Sequence, residues 1–158
     1  MLLLFHKKHY DYPLANLILV LKRTLQRSKK KVMENRVKNK LEYLFNCSAK
    51  LLYRYISNPS GLEEWFADSV NLTQGKYVFN WEGTSSDALM LETRLNSHTK
   101  FRWLDDAEDE FFEFRLRMDE LTNDVSLTIT DFCDSNEQEE NQMLWDTSIQ
   151  QLRNRIGA

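Results

Sequence analysis

Glycine and proline are scarce in this chain, with 4 and 2 among 158 residues. So few glycines exclude a glycine-rich phosphate cradle, and they leave little room for low-complexity linkers. Cysteine is equally sparse. Cys47 and Cys133 lie far apart with no companion ligands, so their spacing gives neither a metal site nor a redox pair. Reduced thiols in a cytoplasmic protein are the expectation. Long apolar runs are missing too. The run Leu17 to Leu21 is far shorter than the roughly 20 residues a bilayer span needs. No small-residue cleavage site follows a clean apolar stretch, so no signal peptide is expected.

What the chain has in quantity is aromatic side chains, at 12% including 4 Trp, within an ordinary globular mixture of 42% hydrophobic and 28% charged residues. That length supports one domain with a sizeable core. The net charge of -3 hides an asymmetry. Residues 1–32 hold 8 Lys/Arg and 1 Asp, net +7, and residues 33–158 hold 13 Lys/Arg and 23 Asp/Glu, net -10. An acidic body argues against nucleic-acid binding, because phosphate contacts need a basic face.

Residues 1–32 read as a basic N-terminal extension, disordered or loosely helical. Leu14, Leu17, Ile18, Leu21 and Leu25 fall at helical spacing before the run Lys29, Lys30 and Lys31. One reading is an amphipathic helix on a membrane surface or a partner. The preferred one is a dispensable extension, since short amphipathic stretches arise easily. Membrane contact, if any, is expected only through these residues.

From residue 33 the pattern is that of one folded domain. Leu41, Tyr43 and Phe45 alternate as a half-buried strand. Ser48 is placed to cap a helix over 49–56, with Leu51, Leu52, Tyr55 and Ile56 inward. Asn58-Pro59 breaks it, and Ser60 with Glu63 reads as the capping box of a second short helix carrying Leu62, Trp65 and Phe66. Alternation then predicts strands around Tyr77, Phe79 and Trp81; 88–94; Phe101 and Trp103; Phe112, Phe114, Leu116 and Met118; and Val125, Leu127 and Ile129. Turns are expected at 83–86, 96–98, 105–110 and 122–124. Trp145, Ile149, Leu152 and Ile156 share one face of a closing helix, with Ser135 and Gln138 as its capping box and Gly157 as its stop.

Several stretches carry a resemblance. They are Glu42-Tyr43-Leu44-Phe45, Pro59-Ser60-Gly61-Leu62-Glu63-Glu64-Trp65-Phe66-Ala67-Asp68, Phe79-Asn80-Trp81-Glu82-Gly83, Phe101-Arg102-Trp103, Phe112-Glu113-Phe114-Arg115, 120–125, Leu144-Trp145, Leu152-Arg153 and Gly157. In this order they resemble the START-like, or SRPBCC, superfamily. The likeness is nearest a small bacterial group close to the domain type of activators of the large ATP-dependent heat-shock chaperone, and it covers about residues 35–158. It implies an α+β helix-grip: a seven-stranded antiparallel sheet wrapped around a long C-terminal helix, with two short helices after the first strand. It also implies a frequent hydrophobic cavity between sheet and helix. It implies no single activity, since the superfamily includes lipid carriers, cyclases, hydroxylase domains and co-chaperones.

The candidate site is the inward aromatic set: Trp65, Phe66, Phe79, Trp81, Trp103, Phe112, Phe114 and Trp145, with Ile149. Such a lining suits a small hydrophobic ligand, a lipid or metabolite, bound without catalysis. The same residues equally suit a filled core. In that case the domain is a protein-interaction module working by its outer sheet face or acidic edge. A cyclase or dehydratase is the weaker alternative, because no acid/base pair can be placed inside. No catalytic residue, metal or cofactor is expected. His98 reads as a surface residue in a turn, Asp105 to Glu110 as a solvated hairpin tip, and Arg102, Arg115 and Arg117 as outward. Asp131 continues the inward register but reads as a solvated strand end, since an unpaired buried carboxylate is costly.

Overall fold

The computed structural model describes residues 35–157. Readings made for residues 1–32 lie outside these. Seven strands form one antiparallel sheet: β1 (Arg36–Phe45), β2 (Ser69–Thr73), β3 (Lys76–Trp81), β4 (Thr84–Arg94), β5 (His98–Trp103), β6 (Phe112–Met118) and β7 (Val125–Asp134). Their spatial order is β1-β7-β6-β5-β4-β3-β2, so the chain's first strand pairs with its last and sequence neighbours pair elsewhere. Helices α1 (Ala49–Ser57) and α2 (Pro59–Glu63) follow β1, and α3 (Gln138–Ile156) closes the chain. Helix α3 packs against β1 and β7, and α1 against β5 and β6. This is the helix-grip arrangement.

Period-two alternation builds the inner face. Phe79, Trp81, Phe101, Trp103, Phe112, Phe114, Leu127 and Ile129 are all buried there. Strand β1 starts at Arg36, five residues before the first apolar residue that announces it, because its early part is an exposed-edge ladder on β7 from Arg36↔Asp134 onward. The short strand β2 has only Val70 buried, so its apolar alternation is too weak to mark it. Met118 continues the inward parity of β6 but is exposed, since β6 outruns β5 there.

The caps differ partly from expectation. Ser48 Oγ accepts from Leu51 N at 3.2 Å and starts α1 as anticipated. Helix α2 is capped by Asn58, whose Oδ1 accepts from Gly61 N at 2.8 Å, not by Ser60. Pro59 occupies the first helical position, where its fixed φ and missing N–H suit the turn. Glu63 therefore does no capping there, and its carboxylate accepts from Val70 N at 2.8 Å, tying α2 to β2. A short 3-10 turn, Ser135–Glu137, displaces the expected Ser135 box, and α3 has no side-chain cap. Gly157, at φ 75°, ends α3 and returns its N–H to Arg153 O.

Candidate functional site

The fold brings all nine candidate residues into one buried region. Trp65 and Phe66 lie on the segment between α2 and β2, Phe79 and Trp81 on β3, Trp103 on β5, Phe112 and Phe114 on β6, and Trp145 and Ile149 on α3. Phe66 is at the centre. Its ring lies 5.7 Å from that of Trp145, parallel within 3°. The rings of Phe79, Trp81, Trp103, Phe112 and Phe114 surround it at 5.4–6.5 Å. Trp103 and Phe112 stack at 4.6 Å beneath it. Edge-to-face and offset contacts at these separations favour aromatic pairs beyond their area burial. Sequence reasoning left Phe101 out of this set, though it stacks on Phe112 at 5.0 Å. Its place two residues before Trp103 was the available signal.

The polar handles of the tryptophans are used for anchoring. Trp65 Nε1 donates to Tyr55 O at 2.9 Å, and Trp81 Nε1 to Phe66 O at 2.8 Å. The second bond pins the backbone of the central residue to β3. Trp145 Nε1 donates to Asp131 Oδ2 at 2.8 Å.

That last bond overturns the reading of Asp131 as a solvated strand end. The residue is 2% exposed and faces α3, where Asn141 Nδ2 also donates to both of its oxygens at 3.1 Å. Charge-assisted bonds offset the desolvation that argued against burial. Asn141 could have been found from its position four residues before Trp145, which puts both on one helical face. Beside them, Tyr43 OH donates to Asp146 Oδ1 at 2.7 Å. Burial, this bond and the Asp146 charge push the Tyr43 phenol well above its ordinary range. Burial, reinforced by the charge of Asp131, pushes the Cys133 thiol up to about 11.

His98 is likewise misread as a surface residue. It opens β5, is 4% exposed, and packs on the outer sheet face with Nε2 at 2.9 Å from Glu92 Oε1 and Nδ1 at 3.1 Å from Ser97 Oγ. Its hydrogen bond and charge hold the Glu92 carboxyl below its usual range. Arg115 does face outward, gripping Glu113 through two bonds at 2.9–3.0 Å. The acidic β5–β6 loop is less free than a solvated tip, because Glu110 takes a two-pronged contact from Arg36 of β1 at 2.6 and 3.0 Å. Among the described residues, no three His, Cys, Asp or Glu side chains come together as metal ligands. None of the described helices is long and apolar enough to cross a membrane.

Comparison with known proteins fits this geometry. The Aha1 dimer of Colwellia psychrerythraea superposes with a TM-score of 0.61 at 13% identity, over 75% of this chain and 94% of that one. Protein BH1534 of Bacillus halodurans gives 0.60 at 18%, over 76% and 97%. DynU16, from the dynemicin biosynthetic locus, gives 0.65 at 15%, over 77% of this chain but only 47% of that one. At such identities these likenesses speak for the fold alone. No curated protein matches the sequence. The family model of the START-like superfamily domain matches residues 33–158, and on that match over the helix-grip just described, the chain belongs to the START-like superfamily.

Proposed function

We propose that this domain is a non-catalytic binding module that works through its surface, with its interior filled by its own side chains. One observation carries the reading. The ring of Phe66 occupies the space beneath Trp145, parallel to it at 5.7 Å, where an apolar ligand of a helix-grip protein would lie. Its backbone is fixed by the buried bond from Trp81. Residues 33–158 then act as the binding unit and residues 1–32 as an extension of it. Two unpaired cysteines suit a reducing compartment such as the cytoplasm. Native mass spectrometry of protein purified from its own cells tests this. The mass of the bare polypeptide is expected, and a retained apolar adduct would overturn it.

A second reading keeps the small hydrophobic ligand, and a specific observation favours it. Phe66 sits outside the regular elements, between the end of α2 at Glu63 and the start of β2 at Ser69. Rotating its side chain away would leave a chamber walled by Phe79, Trp81, Trp103, Phe112, Phe114 and Trp145, with Trp65 and Ile149 at its margin. A ligand would recover the ring contacts that Phe66 gives up. It would have to outweigh the roughly 2 kcal/mol needed to expose a phenylalanine.

A further inference from the structure

Alternation places every second side chain of a strand on the outer face of the sheet, away from α3. Beyond the irregularity between Met90 and Glu92, Glu92 lies opposite Lys100 and Arg94 opposite His98, so both stay on that face. The outward positions of the seven strands hold 9 Lys/Arg and 5 Asp/Glu. Arg36 is shared by Asp134 at 3.8 Å and by Glu110 of the β5–β6 loop at 2.6 Å. With Glu110 counted in, the ion pairs of Arg36, Lys76–Asp87 and Arg115–Glu113 are all whole, and the face is still +3. The remaining described residues hold 4 Lys/Arg and 16 Asp/Glu, net -12. An acidic domain thus keeps its positive charge on one side.

Four cations of this face stand around one aromatic pair. Lys40 on β1 and Lys100 on β5 are linked across the sheet by Lys40↔Thr130, Thr130↔Glu113 and Glu113↔Lys100, three strand steps or about 14 Å. Lys38 and Arg102 lie two residues further along the same strands, with Phe132 opposite Lys38. The ammoniums of Lys38 and Lys100 are 5.1 and 3.9 Å from the centre of the Phe111 ring, so no more than about 9 Å apart, and Phe132 meets that ring edge-on at 5.4 Å. A ring holds a cation in place without neutralising it. Among the described residues, none of Lys38, Lys40, Lys100 and Arg102 forms an ion pair. Cations gathered in this way repel one another, and an anionic partner relieves the repulsion.

The surroundings select among anions. Two ammoniums already lie over Phe111, so a nucleic-acid base could stack there only by displacing them. Acidic turns close both ends of the patch: residues 105–110 after β5, and Asp119, Glu120 and Asp124 between β6 and β7. A phosphate chain following the strands would run onto them. Phe111 and Phe132 are only half-exposed, which gives a bilayer no apolar anchor here. Carboxylates clustered on a peptide can end within the patch.

We propose that the outer sheet face, centred on Phe111, docks an acidic segment of a partner protein, whose carboxylates pair with Lys38, Lys40, Lys100 and Arg102. The inference rests on the reading of a surface-acting module and names its working face and the chemistry of its partner. A fluorescent decaglutamate peptide is the probe, titrated into the full-length chain and followed by anisotropy. Binding is expected at low ionic strength and should weaken with salt. Lys38→Glu with Lys100→Glu should weaken it by about tenfold or more, through two lost ion pairs and two new repulsions. Lys50→Glu with Arg54→Glu, the same charge change on α1, should leave it within about twofold. Independently of any variant, amide shifts of the labelled wild-type protein on adding the peptide should map to β1, β5, β6 and β7. No binding, or equal binding by the Lys38 and Lys100 variant, overturns the proposal; the second outcome assigns the charge attraction to residues 1–32. Tighter binding of oligouridylate, lost in the same variant, also overturns it, in favour of nucleic acid. A retained adduct in the mass measurement would instead strike the filled-interior reading, whatever the peptide does.

Discussion

Asp131 on β7 and Trp145 on α3 are joined by a 2.8 Å hydrogen bond across the interior. It is the buried tie that helps fix the closing helix in rotation, alongside the exposed bonds from Tyr43 to Asp146 and from Arg153 to Leu44 O. In the one orientation adopted, Trp145 both stacks on Phe66 and presents Nε1 to the carboxylate. Asn141, one turn earlier, donates to both oxygens of the same carboxylate and adds a second tie at this point. Apolar packing alone would let α3 slide or turn, because it is non-directional.

Removing that acceptor strands two buried donors. Asp131→Ala is expected to lower the unfolding free energy by about 3 kcal/mol, the scale of a lost charge-assisted bond plus an unsatisfied donor. Asp131→Asn should cost less, since one amide oxygen still accepts. Urea midpoints at unchanged slope measure both. A loss below about 0.5 kcal/mol, the range of surface changes, would show that the pair does not fix the helix.

Phe66 is held from every side, so truncating it leaves a hole. Phe66→Ala should destabilise by about 3–5 kcal/mol. The resulting cavity is apolar and should take up benzene, raising the melting temperature of the variant and not of the wild type. Leu121→Ala, at a hairpin tip, should change stability by less than about 0.5 kcal/mol. A Phe66 variant as stable as the wild type would mean that the space collapses or was never filled.

The strands and the closing helix were legible because their burial follows period two and period 3.6. Phe112, Phe114 and Leu116 show the first, and Trp145, Ile149 and Leu152 the second. What escaped is what depends on partners distant in sequence. Asp131 has the inward register of Val125, Leu127 and Ile129, but its donors are on another element, so burial looked too costly. His98 follows Asn96, whose left-handed φ of 55° makes the turn, yet it is covered by neighbours on β4 and β6 that no local pattern reveals. The nine candidate residues were found as an inward set. That Phe66 would lie among the others, and not beside them, depends on how the α2–β2 segment crosses the sheet.

Gly61 of α2 faces α1 at a separation only glycine allows. A Cβ there would lie 1.9 Å from Arg54 O and 2.8 Å from Tyr55 Cα, both backbone atoms that no rotamer change can move. Gly61→Ala should therefore force the two helices apart and cost about 2–3 kcal/mol, despite the higher helix propensity of alanine. Thermal unfolding of the variant measures this. A gain in stability would mean that the helices are free to separate.

Cys133 gives the domain a pH dependence of definite sign. Its thiol is 6% exposed as part of the buried residue and is pushed up to about 11 from an ordinary 9.0, by burial first and by Asp131 second. The folded state thus holds this proton more tightly than the unfolded chain does. Stability is fully present below about pH 9 and declines as pH rises toward 11. Tyr43 shifts in the same direction and steepens the decline at its upper end. Cys133→Ala should flatten the first part of the fall and leave the Tyr43 contribution. Iodoacetamide at pH 8 should modify Cys47, which is only part-buried, well before Cys133. Chemical unfolding across pH 8 to 11, with peptide mapping of the labelled thiols, checks both. Equal labelling of the two cysteines in the folded protein would show that Cys133 is not shielded, and the predicted slope would go with it.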